Sequence, residues 1–131
     1  MAIIEKINQL HEEMTAWRRD IHSYPEIAFE ETRTSDFVAE KLESFGIQVY
    51  RGLAKTGVVG TLGNGSGGSV GLRADMDALE MEEESGLEYA SKIPGKMHAC
   101  GHDGHTAMLL GAAKYLSETR KFRGTVHFIF Q

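Results

Sequence analysis

Apolar residues recur at spacings of three and four along the first 21 positions: Ile3, Ile7, Leu10, Met14, Trp17 and Ile21. This spacing places them on one face of an amphipathic helix. The pattern predicts that the helix ends at Tyr24-Pro25, because the residue before a proline disfavours the helical conformation. A second helix is predicted over about 32–44, and Gly46 is a typical residue just beyond a helix end.

Four runs of β-favouring residues predict strands in the rest of the chain. They cover Ile47–Arg51, Gly57–Leu62, Ser69–Ala74 and Gly124–Phe130. A third helix is predicted from His105 or Thr106 to about 118, before the last strand. Because helices and strands alternate, we expect one α/β domain with a mixed or largely parallel sheet flanked by helices. The 131 residues are enough to bury a core.

A glycine-rich segment separates the second and third predicted strands. Its letters, Gly63-Asn64-Gly65-Ser66-Gly67-Gly68, match G-x-G-x-x-G, the fingerprint of dinucleotide-binding loops. That fingerprint opens a helix, whereas here the β-favouring pattern continues from Ser69. We therefore expect a hairpin turn between two antiparallel strands and no nucleotide binding.

Composition and charge argue against several classes of partner and location. The net charge of −5 gives no electrostatic reason to expect nucleic acid or an anionic membrane as a partner. The single cysteine cannot form an internal disulfide, and the first residues lack the apolar core of a signal peptide. No apolar run approaches the ~20 residues of a membrane span. These features predict a cytoplasmic protein. The acidic run Glu80–Glu84 is interpreted as solvated surface.

The segment 97–105, Met-His-Ala-Cys-Gly-His-Asp-Gly-His, contains the only cysteine and three of the six histidines. A thiolate at Cys100 and an imidazole at His102 are good ligands for a transition metal. On a helix these positions would lie about 200° apart, so a shared ion requires a loop or extended backbone. Gly101 and Gly104 permit such a backbone. A buried structural cysteine is the alternative.

A second acidic pair, Asp75 and Asp77, follows the predicted strand 69–74. At positions i and i+2 of an extended segment, both carboxylates face one side. Two adjacent like charges are unfavourable unless a cation or a proton compensates them. Ordinary turn-forming aspartates would explain the pair by itself. Together with the Cys-His pair, a shared metal site is the better explanation.

These motifs resemble those of the metal-dependent amidohydrolase family that includes hippurate hydrolases, N-acyl-amino-acid amidohydrolases and auxin-conjugate hydrolases. The similar segments cover 18–49, 56–62, 71–83 and 97–116, in the family's order, and the last is the most specific. The resemblance implies an aminopeptidase-like (zinc-peptidase-like) catalytic domain, of which residues 1–131 would be the N-terminal part. It implies hydrolysis of the amide bond of a small N-acyl amino acid with two divalent ions, such as zinc, manganese, cobalt or nickel. Homo-oligomers of the complete protein are compatible with it.

Carried onto this chain, the resemblance implies that Cys100 and His102 are metal ligands and that Asp77 is the aspartate that orients the site. Asp75 and His98 receive no definite role. Asp103 and His105 fit a supporting or helix-capping role better than direct ligation, and His22 fits a structural role.

Family members are much longer than 131 residues, and their catalytic glutamate pair and lid domain would follow Gln131. We therefore interpret the chain as a fragment, which alone is expected to be inactive. Two other functions remain open: a non-catalytic fragment with a partial metal-binding or assembly role, and an enzyme that uses Cys100 as a nucleophile or redox group.

Overall fold

A computed structural model describes residues 4–131 of the chain. Its elements, in order, are α1 (Glu5–Gln9), α2 (His11–Ser23), α3 (Thr32–Ser44), β1 (Gln48–Leu53), β2 (Gly57–Asn64), β3 (Ser69–Ala74), α4 (His102–Thr119) and β4 (Gly124–Phe130). The four strands form one mixed sheet in the order β1-β2-β4-β3, so the predicted α/β class with a mixed sheet flanked by helices is confirmed. None of the helices within 4–131 has the length and apolar character needed to cross a membrane.

The first predicted helix is divided in two. Ile3 lies outside the described residues, and the helical pattern is interrupted at Leu10 between α1 and α2. The Leu10 amide donates to the Ile7 carbonyl at 3.0 Å, three residues back instead of four. This tighter turn breaks the regular helix and leaves the Leu10 side chain buried.

The glycine-rich segment 63–68 opens no helix, as expected, but it does not close a hairpin. Strand β4 lies between β2 and β3, antiparallel to β2 and parallel to β3. The prediction of two paired antiparallel strands was therefore wrong. The glycines instead let this connection approach the start of β4: a Cβ at Gly67 would lie 3.1 Å from the Gly124 Cα, and the Thr125 amide donates to the Gly68 carbonyl.

One face of the sheet carries the core. Along β4 every second residue is buried, and Val126, Phe128 and Phe130 point to the same side as Val58 and Leu62 of β2. The helices supply the opposite wall of this core, which includes Trp17, Val38, Leu42, Leu110 and Ala113. Because β3 and β4 are parallel, the chain must cross over between them, and α4 makes this connection. The crossover places the first turn of α4 beside the end of β3.

Helix α4 begins at His102, three residues before the earliest predicted start. Gly101 precedes it with a left-handed φ of 88°, which glycine adopts without strain. The expectation that Cys100 and His102 both belong to a non-helical segment therefore holds for Cys100 but was wrong for His102.

Candidate metal centre

Two aspartates and two histidines meet where β3 ends and α4 begins. His102 Nδ1 donates to Asp77, whose Oδ1 and carbonyl oxygen both lie 2.9 Å away. On the other side of the ring, His102 Nε2 lies 3.3 Å from Asp75 Oδ2. His105 Nδ1 lies 2.6 Å from Asp75 Oδ1. We call these four residues, Asp75, Asp77, His102 and His105, the open cluster.

The backbone after β3 explains why both aspartates face α4. Side chains alternate from Ala74 to Ala78, with Ala74, Met76 and Ala78 buried and the two aspartates between them on the other side. The pairing of β3 with β4 continues here, because the Met76 amide donates to the Gln131 carbonyl at 2.9 Å. The i, i+2 arrangement predicted from the sequence is therefore present.

Helix α4 supplies the two histidines from its first turn. His102 and His105 are three residues apart, so their rings lie on one face, stacked with centroids 5.5 Å apart. The buried Thr106 hydroxyl donates to the Asp75 carbonyl at 2.9 Å, which ties this turn to the end of β3.

Electrostatics keep Asp75 ionised. Partial burial raises the pKa of its carboxyl, but the hydrogen bond from His105 and the nearby charges of His102 and His105 outweigh burial and hold the pKa below its usual value. The site therefore offers an ionised carboxylate at neutral pH.

The open cluster fits a divalent cation. One ligand atom each from Asp75, His102 and His105 lies within 4.8 Å of the others. Because Nδ1 of His102 is occupied by Asp77, Nε2 is the nitrogen free to bind, and it faces a carboxylate oxygen. Imidazole and carboxylate together suit zinc, manganese, cobalt or nickel. A cleft of about 410 Å³ against Asp75 and His105 leaves this side accessible.

Cys100 is exposed and lies outside helix α4. Within residues 4–131, its sulfur is not one of the three ligand atoms that lie close together. Gly101, whose backbone is left-handed, lies between Cys100 and His102 in the chain. The structure thus brings His102 and Asp77 together and adds Asp75 and His105. The role of Cys100 as a ligand stays a prediction.

A second histidine lies between two carboxylates on the buried side of the same turn. His22 Nδ1 donates to Asp103 Oδ2 at 2.8 Å, and His22 Nε2 donates to Glu83 Oε1 at 3.0 Å. Arg18 Nε also donates to Asp103 Oδ2, at 3.2 Å. We call Arg18, His22, Glu83 and Asp103 the closed cluster.

Glu83 corrects one expectation from the sequence, which assigned the whole acidic run 80–84 to solvated surface. Only 2% of its side chain is exposed. Burial raises the pKa of Glu83, but hydrogen bonds from Ser85, the Ser91 amide and His22 outweigh it, and the pKa lies below its usual value. No local pattern could have found this contact, since His22 and Glu83 are 61 residues apart.

His98 lies beside the closed cluster, with its ring centroid 6.3 Å from that of His22. It is buried, and neither ring nitrogen has a hydrogen-bond partner among the described residues. Burial lowers its pKa to about 4, so the ring is neutral at physiological pH.

Comparison with known proteins supports the resemblance seen in the sequence. The model of peptidase family M20/M25/M40 matches residues 71–131, which include the open cluster. An N-acyl-L-amino acid amidohydrolase of Geobacillus stearothermophilus is 50% identical over 95% of this chain and 34% of its own length. A hippurate hydrolase of Campylobacter jejuni is 49% identical over 100% of this chain and 34% of its own length.

A solved structure shares the fold as well as the sequence. The Bacillus subtilis YXEP protein, a dinuclear metal binding peptidase from the M20 family, has a TM-score of 0.90 and 41% identity. The match covers 95% of this chain and 35% of that protein. The resemblance to the metal-dependent amidohydrolase and metallopeptidase family is thereby confirmed. The chain spans about a third of the length of the curated relatives it matches.

Proposed function

We propose that this chain, which resembles the N-terminal part of the M20 amidohydrolases, carries part of the metal site of an enzyme that hydrolyses the amide bond of N-acyl amino acids. The observation that carries the proposal is the position of His102 between Asp77 and Asp75, with Nε2 directed at a carboxylate. A relative that cleaves N-acyl-L-amino acids and one that cleaves hippurate, each about 50% identical, support the substrate class.

Each residue of the proposed site has a distinct task. Asp77 accepts the hydrogen of His102 Nδ1, which fixes the ring and leaves the lone pair of Nε2 for the metal. His102 and Cys100 are the proposed ligands, with Asp75 and His105 next to them. When bound, a divalent ion supplies Lewis acidity, which lowers the pKa of water and polarises a carbonyl. The dinuclear character of the similar Bacillus subtilis peptidase supports two such ions in the complete protein.

Several properties of the complete protein belong to the same proposal. Its substrate is a small molecule, and neither nucleic acid nor a membrane has a role. The complete protein is compatible with a homo-oligomer. The lone cysteine suits a reducing compartment such as the cytoplasm. A partial metal-binding or assembly role without catalysis is the second candidate, favoured by the small number of ligands that meet within residues 4–131.

Assays of the 131-residue chain and of a longer chain together separate these two candidates. The chain is loaded with zinc or manganese and tested on hippurate and N-acetyl amino acids, beside a Cys100→Ala variant. We expect little turnover, because zinc sites usually need about four ligands and hydrolysis needs a placed acid–base group. A longer chain that includes the residues after 131 should show metal-dependent turnover. Absence of turnover in that longer chain would favour the non-catalytic role.

Alkylation of Cys100 tests its role directly and distinguishes a cysteine nucleophile from a ligand. A thiolate bound to a metal is shielded, so zinc should slow the reaction of Cys100 with iodoacetamide. Rapid alkylation that zinc does not change would contradict ligation by Cys100 and favour a cysteine enzyme.

A further inference from the structure

The closed cluster joins three separate parts of the chain at one point. His22 comes from the last turn of α2, Glu83 from the segment after β3, and Asp103 from the first turn of α4. All three side chains are almost fully buried, with 6%, 2% and 0% exposure. Asp103 directly follows His102, so whatever holds Asp103 also holds the backbone that carries His102.

The chemistry of the closed cluster makes it a rigid connection. Both ring nitrogens of His22 face carboxylate oxygens, and each of them therefore donates a hydrogen bond. Hydrogen bonds that involve charged groups are shorter and about twice as strong as neutral ones. Tyr89 packs edge-on against the imidazole, which restricts rotation of the ring.

The first turn of α4 needs such a connection. It contains Gly104, and glycine inside a helix costs roughly 0.5–1 kcal/mol relative to alanine. Its N-cap residue is Gly101, which has no side chain to cap the helix. The turn is closed by the Gly104 and His105 amides, which donate to the Gly101 carbonyl at 3.0 and 3.1 Å. Local sequence alone therefore gives this turn little stability.

We propose that His22 and Glu83 are positioning residues for the metal site: through Asp103 they fix the first turn of α4, and with it the direction of His102 Nε2. This inference rests on the proposed function for its link to metal. The hydrogen bonds of the His22 ring go to Asp103 and Glu83 and not to the open cluster, so the effect is transmitted by the backbone between Asp103 and His102.

Hydrogen exchange and cobalt binding test the proposal in the 131-residue chain. Glu83→Gln removes the charge with little change of shape, and His22→Gln removes the ring. The control is Glu13→Gln, because Glu13 also ties α2 to α4, through Lys114 at 2.7 and 2.9 Å, but far along the helix from His102. Backbone exchange is measured at Gly104 and His105, and Co²⁺ is titrated with its visible spectrum recorded.

In Glu83→Gln and in His22→Gln, the backbone amides of Gly104 and His105 should exchange about tenfold faster, because each variant loses a buried charged hydrogen bond. Their Co²⁺ affinity should fall about tenfold, in the range known for residues that orient metal ligands, and the spectrum should change with the coordination geometry. The control should match the unmodified chain in all three measurements.

The outcomes distinguish this inference from the proposed function. Unchanged exchange in Glu83→Gln, or equal acceleration in the control, would overturn the positioning role. Faster exchange with unchanged Co²⁺ affinity and spectrum would show that the closed cluster has only a structural role, which also overturns the positioning role. If the unmodified chain binds no Co²⁺, the proposed function fails. The exchange data then decide by themselves whether the closed cluster fixes the first turn of α4.

Discussion

Two histidines in this protein each lie between two carboxylates, and they differ in what surrounds them. His102 lies between Asp77 and Asp75, whose side chains are 29% and 21% exposed. His22 lies between Asp103 and Glu83, which are 0% and 2% exposed. The same arrangement of one histidine between two carboxylates is therefore partly exposed to solvent in the open cluster and buried in the closed cluster.

The difference indicates which histidine can bind a metal ion. In the closed cluster both contacts of the ring are short, at 2.8 and 3.0 Å, and the two carboxylates are sealed from solvent. In the open cluster the contact of His102 Nε2 with Asp75 is longer, at 3.3 Å, and Asp75 lines a cleft. A cation could replace that contact without uncovering a buried charge. The closed cluster is suited to stabilising the fold, and the open cluster to binding.

The largest expected effect is the loss of stability in Asp103→Ala. Removal of this buried carboxylate leaves His22 Nδ1 and Arg18 Nε without the oxygen that they share, and breaking a buried ion pair costs about 3–5 kcal/mol. The control, Asp36→Ala, breaks the exposed ion pair with Arg51 and should cost less than about 1 kcal/mol. Urea unfolding of both variants gives the comparison. Equal losses would show that the closed cluster has no special structural role.

His102→Ala should produce the next largest effect, a fall of roughly a hundredfold or more in zinc affinity, because it removes a ligand outright. The control is His127→Ala, since the His127 ring bonds to Thr61 on the sheet, away from the open cluster. Isothermal titration calorimetry measures both. Comparable zinc binding by His102→Ala and the unmodified chain would contradict the assignment of the site.

Asp75→Asn should weaken zinc binding by about tenfold, because the amide keeps the shape of the side chain and loses its charge. Its effect on stability should be small, since the Asp75 side chain is partly exposed and is not sealed in the core. Calorimetry and urea unfolding on the same samples test both statements. A loss of stability as large as that of Asp103→Ala would remove the distinction between the clusters.

The smallest expected effect is a change in pH dependence in Glu83→Gln. Glu83 has a pKa below its usual value of about 4.5 in the folded chain, so its contribution is complete above 4.5 and is lost as the pH falls through the folded pKa. The stability difference between the unmodified chain and Glu83→Gln should therefore be largest near pH 7 and shrink below pH 4.5. A difference independent of pH would show that the charge of Glu83 contributes nothing.

Elements with a strong local pattern could be predicted from the sequence. Helix α3 and strands β3 and β4 have the bounds that their apolar spacing predicts. The position of Asp75 and Asp77 on one side of the backbone also follows from their short-range spacing. These features depend on residues that are neighbours in the chain.

Features that depend on distant contacts could not be predicted. The insertion of β4 between β2 and β3 is decided by the crossover through α4, and the glycine-rich segment carries no signal for it. Helix α4 begins early because contacts from His22 and Asp77 stabilise a turn with poor helix propensity. His105 would have been recognisable from its i, i+3 spacing to His102 if that start had been placed correctly.

The most direct test of the distinction between the two clusters is a zinc titration of the chain with ¹⁵N-labelled histidines, observed by NMR. We expect the His102 Nε2 resonance to shift strongly on zinc binding, while the resonances of both ring nitrogens of His22 stay unchanged. A change at His22 with none at His102, or no zinc-dependent change at His102 at all, would contradict the distinction.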